Sequence, residues 1–118
     1  MRRFPFLLFL LMLAGCRPGV VRIETPQGTL CLQPVAEDAI RVRMTPDGAP
    51  ALSELVFTEK VKTPKYTVER SGGDVIVRTA QMCAEWNADA QALSFLDADG
   101  NLLLRECDHS VVPAEVQG

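Results

Sequence analysis

Ile40-Arg41-Val42-Arg43-Met44 alternates apolar and cationic side chains for five residues without a break. Period two marks a β-strand with one face on a core and one in water, because successive side chains point to opposite faces. The arginines are therefore expected in solvent and Ile40, Val42 and Met44 on a core. Upstream, Glu37-Asp38 marks a turn, Leu30 and Leu32 share a face, and Thr25-Pro26-Gln27-Gly28 has turn chemistry after the alternating Val21-Arg22-Ile23-Glu24. Downstream, residues 45–53 carry Pro46, Asp47, Gly48 and Pro50 and read as a loop. Leu55 to Phe57 reads as a short strand, and Pro64 ends the lysine-bearing segment that follows.

The second half continues in strands. Tyr66 to Arg70 leads into Ser71-Gly72-Gly73-Asp74, a hairpin turn in which glycine reaches positive φ at little cost. Val75 to Trp86 reads as one long strand of mixed parity. Val75 and Val77 fall on odd positions, whereas Met82, Ala84 and Trp86 fall on even ones. Either a bulge shifts the register midway or both faces are buried. Asn87 to Ala90 and Asp97 to Asn101 are turns around Ala92-Leu93-Ser94-Phe95-Leu96, and Leu102-Leu103-Leu104 follows. No stretch has a convincing helical period. Short strands at regular spacing point to an all-β, antiparallel β-sandwich.

Composition sets outer limits. The chain has 118 residues, 12 basic and 15 acidic side chains, and a net charge of -3. That is one domain at most, with no room for a (β/α)8 barrel of about 250 residues or for paired Rossmann halves. Scattered basic residues on an acidic chain give no footprint for nucleic acid, so no such partner is expected.

The amino terminus reads as an address. Met1-Arg2-Arg3 is followed by a nearly unbroken apolar run from Phe4 to Leu13. Ten such residues fall well short of the roughly 20 that span a bilayer as a helix. Basic flank, short apolar stretch and small closing residues together describe a secretory signal. Leu13-Ala14-Gly15-Cys16 resembles the lipobox of bacterial lipoproteins, in which the cysteine sulfur is acylated before cleavage. The resemblance implies that Cys16 is the lipidated first residue of the mature chain, with the membrane as partner through that anchor. An ordinary secreted chain with a chance cysteine there is the competing reading, and a twin-arginine signal at Arg2-Arg3 is incomplete. Arg17 stands where an aspartate is associated with inner-membrane retention, so a cell-envelope protein at the outer membrane is expected. Removing residues 1–15 leaves 103 residues, and losing Arg2 and Arg3 takes the net charge to -5. The expected organisation is a signal peptide at 1–15, a lipidated linker at 16–19, a sandwich at 20–107 and a tail at 108–118.

Three constellations invite chemistry. Asp97-Ala98-Asp99-Gly100-Asn101 copies the opening of a calcium-binding EF loop. Such a loop wants glycine at its sixth position and glutamate at its twelfth, where this chain has Leu102 and Asp108. A hairpin turn is the expectation instead. Cys31, Cys83 and Cys107 with His109 match a three-cysteine, one-histidine zinc site in residue type but not in spacing. A disulfide with one thiol left over fits an exported chain better, and small buried thiols in strands fit better still. Cys107-Asp108-His109-Ser110 holds every residue type of a nucleophilic triad. Adjacent residues of an extended chain point apart, whereas a triad converges from separate segments. No catalytic residue, metal or cofactor is expected.

One resemblance extends over nearly the whole mature chain. Its residues are Gly28-Thr29-Leu30-Cys31-Leu32, Ala39-Ile40-Arg41-Val42-Arg43-Met44, Val75-Ile76-Val77-Arg78-Thr79-Ala80 and Leu93-Ser94-Phe95-Leu96-Asp97. Gly100-Asn101-Leu102-Leu103-Leu104-Arg105-Glu106 closes the series. In order and pattern these strands resemble the amino-terminal domain of glycoside hydrolase family 31, the α-glucosidases and α-xylosidases. The resemblance implies a galactose mutarotase-like sandwich standing before a catalytic barrel that carries the aspartate nucleophile and the acid. A loop of the sandwich helps shape the sugar pocket in such enzymes. This chain stops at Gly118 before any barrel, and Trp86-Asn87-Ala88-Asp89 does not align with the barrel's tryptophan-x-aspartate-methionine motif. No catalytic residue carries over. A non-catalytic amino-terminal domain or fragment of an envelope family 31 enzyme acting on α-linked oligosaccharides is the leading expectation. A stand-alone lipid-anchored sandwich binding carbohydrate or a protein is the alternative, and a purely structural envelope lipoprotein a third. At this length the sandwich is expected to be short of strands and to expose an edge.

Overall fold

A computed structural model of the chain describes residues 19–50, 53, 60–107, 112 and 114–117. The expected leader at 1–15, Cys16, the Leu55–Phe57 strand and the Asp108-His109-Ser110 run lie outside these residues. The described residues form eight antiparallel strands and no helix, so none is long and apolar enough to cross a membrane. β1 (Val21–Thr25), β2 (Gly28–Ala36) and β3 (Ala39–Pro46) make a three-stranded sheet. β4 (Thr67–Ser71), β5 (Asp74–Arg78), β6 (Met82–Asn87), β7 (Ala92–Asp97) and β8 (Leu102–Arg105) make a five-stranded one. Both are simple meanders, so within each sheet every strand pairs with its neighbour in sequence, and the chain crosses from one sheet to the other between β3 and β4. The architecture is the expected all-β sandwich.

Turn chemistry sets the register of the small sheet. Between β1 and β2, Pro26 presets its own φ, and the Thr25 hydroxyl donates to the Gly28 carbonyl at 2.8 Å while accepting the Gln27 N–H at 3.2 Å. Gly28 has φ +137°, and a Cβ placed there would lie 2.2 Å from the Thr45 carbonyl oxygen. That fixes Val21 opposite Leu32 and Ile23 opposite Leu30. Between β2 and β3 the turn is Glu37-Asp38, as expected, with Val35 as the extra residue of a bulge between Pro34 and Ala36. Pro34 is fully buried in the middle strand. It lies beyond Leu32, where the pairing with β1 ends, so no ladder bond requires the N–H it lacks.

The stretch Val75–Trp86 departs from the single long strand expected of it. It is a hairpin, β5 and β6, with Val75 opposite Trp86 and Val77 opposite Ala84. Each pair joins an odd position to an even one, so the parity change is the trace of a chain reversal. Thr79 closes the turn: its N–H donates to the Met82 carbonyl at 2.9 Å, and its hydroxyl accepts the Met82 N–H at 3.2 Å. The Ser71–Asp74 turn behaves as expected, with Gly72 and Gly73 at φ +57° and +91°.

The two sheets share one core. Val21, Ile23, Leu30 and Leu32 face Val75, Val77, Ala84, Trp86 and Leu93, with Ile40, Met44, Tyr66 and Phe95 packed around them. Each large aliphatic side chain so buried contributes about 1.5–3 kcal/mol. Polar ties also join the sheets. Arg70 Nη2 donates to the Arg22 carbonyl at 3.0 Å. At the β2–β3 turn, the Glu37 carbonyl accepts from the Thr79 hydroxyl and its carboxylate accepts from Gln81 Nε2 at 3.2 Å. The alternation in β3 holds in part. Ile40 and Met44 pack on the core and Arg43 is exposed, but Arg41 is half-buried and Val42 is 38% exposed. β3 is an outer strand of the smaller sheet, so its middle lacks a full covering layer.

Gly28→Ala is expected to destabilise strongly. Positive φ alone costs about 1–3 kcal/mol, and contact with the Thr45 carbonyl adds to that. At Gly48, also at positive φ, a Cβ would meet nothing within 4 Å, so Gly48→Ala should cost only about 1–2 kcal/mol. Urea unfolding of the two variants checks the difference.

Candidate functional site

The Asp97–Asn101 segment is a hairpin turn joining β7 and β8. Asp97 Oδ1 accepts the N–H groups of Asp99 and Asn101 at 2.9 and 2.8 Å, and Oδ2 accepts from Asn101 Nδ2 at 2.9 Å. The Asp97 carbonyl also accepts the Gly100 N–H at 3.1 Å. The carboxylate thus serves its own turn, and its pKa is held below the usual value, first by the Asn101 side-chain amide and then by backbone N–H groups. Among the described residues no group of three or more His, Cys, Asp or Glu is placed to hold a metal ion.

Geometry separates the cysteines. Cys31 lies between Arg22 and Arg43 in a cross-strand row on the outer face of the small sheet, opposite in direction to Leu30 and Leu32. Cys83 alternates with Ala84 and Trp86 and so points to the outer face of the large sheet. These are opposite sides of the sandwich, so the two thiols cannot share a disulfide or a metal. Cys107 is exposed beyond β8, and all three are free thiols. Cys83 is buried although its strand-mates mark its face as the outer one; its row partners are Arg78 and Leu96. Burial pushes its thiol pKa up, only partly opposed by the Arg78 charge. His109 of the zinc reading lies outside the described residues.

No aromatic platform for stacking a sugar stands on the described surface. Trp86 is only 2% exposed, and Tyr66 and Phe95 are half-buried against the core.

The feature left is an edge. Leu102, Leu103 and Leu104 on β8 are 52%, 61% and 63% exposed, and β8 is the last strand of its sheet. β8 carries charge only at its last residue, Arg105, whose Nε donates to Ser94 Oγ at 3.1 Å, whereas the other outer strands carry two charges each: Arg22 and Glu24 on β1, Arg41 and Arg43 on β3, Glu69 and Arg70 on β4. Charge on an edge discourages another strand from pairing there, whereas three leucines invite it. The edge is firmly held from behind. The Glu106 N–H donates to the Leu93 carbonyl at 2.9 Å, and its carboxylate accepts the Leu93 N–H at 2.8 Å. Exposed Val112 and Val116 continue the apolar character along the chain.

No protein-family model matches the chain, and no curated protein is similar enough to stand as a relative.

Two outcomes follow from the site chemistry. A folded-state pKa below the unfolded value of about 3.9 makes the Asp97 carboxylate stabilising above that value, and the contribution disappears as pH falls through the folded pKa. Asp97→Asn should therefore lower the urea midpoint near pH 6, with the gap to the parent closing on acidification. Thiol labelling by a water-soluble maleimide should run Cys107 first, Cys31 second and Cys83 last, and unfolding should erase the order. Mass spectrometry of timed digests reads it.

Proposed function

We propose that this chain is a lipid-anchored, non-catalytic β-sandwich of the cell envelope, the amino-terminal domain or fragment of a family 31 glycoside hydrolase. Its role in that setting is to support a catalytic barrel and help hold α-linked oligosaccharide at it. The observation that carries the reading is the Leu102–Leu104 edge. It is apolar, exposed and immediately followed by the chain segment that leads toward a barrel in the enzymes it resembles. An edge of this kind is a natural docking line for a companion domain. An all-β sandwich of two antiparallel sheets is compatible with the galactose mutarotase-like architecture the resemblance implies, and fold alone does not assign activity. The alternative of a stand-alone carbohydrate binder draws less support, because the described rings that would stack a sugar pack against the core.

The purified chain should show no turnover of p-nitrophenyl α-glucoside or α-xyloside. The coding DNA read past the Gly118 codon should continue into a barrel, in frame or shifted. A stop followed by an unrelated gene would sink the domain reading. For the anchor, Cys16→Ser should release the protein from membranes, and a variant that stays bound would contradict it.

A further inference from the structure

Charge is divided along the mature chain. Residues 16–65 hold seven basic and six acidic side chains, whereas residues 66–118 hold three basic and nine acidic. The fold turns this division into opposed faces. The outer face of the small sheet carries Arg22, Arg41 and Arg43, with Arg22 and Arg43 in one cross-strand row on either side of Cys31. Among the described strand residues, the acid on this face is Glu24, whose carboxylate accepts from the Thr29 hydroxyl at 3.0 Å. Glu37, Asp38 and Asp47 lie in turns beyond the strand ends. The outer face of the large sheet carries Glu69, Asp74 and Glu85 against Arg78 and Arg105. Three further acids, Asp89, Asp97 and Asp99, fall in its turns or at a strand end.

Position of the chain start matters equally. Val21 opens β1, an outer strand of the small sheet, five residues after Cys16. Five residues span at most about 18 Å when fully extended. The segment with exposed Lys60, Lys62 and Lys65 passes the same point, since a Cβ on Gly19 would lie 2.6 Å from Thr63 Oγ1. The lysine-bearing segment therefore runs beside Gly19, close to the start of β1.

We propose that the outer face of β1–β3 lies on an anionic lipid surface, with Arg22, Arg41 and Arg43 toward the phosphate groups. The inference rests on the reading of Cys16 as a lipid anchor. Surface charge acts over a Debye length of about 8 Å at physiological salt. A tether of this length lets the face reach that range without holding it there, so the arginines must supply the attraction. With this face down, the outer face of the other sheet stands a further sheet spacing of about 10 Å away and outside the range. Each arginine near an anionic surface strengthens association by about fivefold. The acidic face then points away from the bilayer, which the same potential repels.

The two accessible thiols report the orientation. The lipidated protein is reconstituted into vesicles of phosphatidylcholine alone or with 30% phosphatidylglycerol, and maleimide labelling is followed at Cys31 and Cys107. On the anionic vesicles Cys31 should label about fivefold or more slowly than on neutral ones, with Cys107 unchanged. High salt should restore the Cys31 rate, as should the triple variant R22Q/R41Q/R43Q. Cys83, which stays unreactive in a folded chain, reports whether that variant is intact; if it is not, the salt arm decides. Equal Cys31 rates on the two vesicles would overturn the proposal, as would equal slowing of both thiols. Slowing by soluble heparin without slowing by vesicles would reassign the face to a polyanion. Protein that washes off neutral vesicles would count against the anchor instead, and Cys31 on anionic vesicles would still decide this face.

Discussion

Everything in this fold depends on three strands covering five. The shared core takes Val21, Ile23, Leu30 and Leu32 from the small sheet and Val75, Val77, Ala84, Trp86 and Leu93 from the large one. The large-sheet members come only from β5, β6 and β7. The outer strands β4 and β8 therefore reach past the cover. Val68 on β4 is partly exposed, and Leu104, paired with Phe95 and so on the inner face, is exposed although Phe95 itself packs on the core. The apolar edge is a geometric consequence of unequal sheets. A further layer or strand over β8 would restore the balance, which is the geometric support for the docking role proposed for this edge.

Where turn chemistry is local, it was legible in the sequence. Pro26-Gln27, Glu37-Asp38, Gly72-Gly73 and Asp99-Gly100 each reverse the chain as their residue types predict. The reversal after Arg78 was missed because Thr79-Ala80-Gln81 contains no glycine, proline, asparagine or aspartate. A threonine hydroxyl stands in for them by accepting backbone N–H groups, a weaker version of the aspartate turn. The signal was present all the same, in the change of apolar parity from Val77 to Ala84. A parity change inside an apolar run is compatible with bulge, two-sided burial or hairpin, and only pairing tells them apart.

Burial was less legible, because it depends on partners distant in sequence. Val42 belongs to the cleanest alternating stretch of the chain, yet its exposure is decided by β3 being an outer strand. Cys83 is the converse case, an outward-pointing side chain that is nevertheless buried. Of the chemical constellations, the Asp97 turn was read correctly, since residues 102 and 108 already denied it the geometry of a calcium loop. The fate of the thiols required the two sheets to be in place, for only then do Cys31 and Cys83 fall on opposite sides.

The two proposed surfaces do not compete. The basic face belongs to β1–β3 and looks outward from the small sheet, while the leucine edge belongs to β8 at the end of the large one. In the proposed placement, a sandwich lying on lipid through its first sheet keeps β8 on the other sheet, open to the companion domain proposed for it. The order of the sequence matches that arrangement: tether first, basic face next, acidic face after it, apolar edge last. Reversing the orientation would turn toward the lipid a face on which Glu69, Asp74 and Glu85 outnumber Arg78 and Arg105, so the attraction of the basic face would be lost. Electrostatics and connectivity thus favour the same placement, in which the chain leads from the membrane outward.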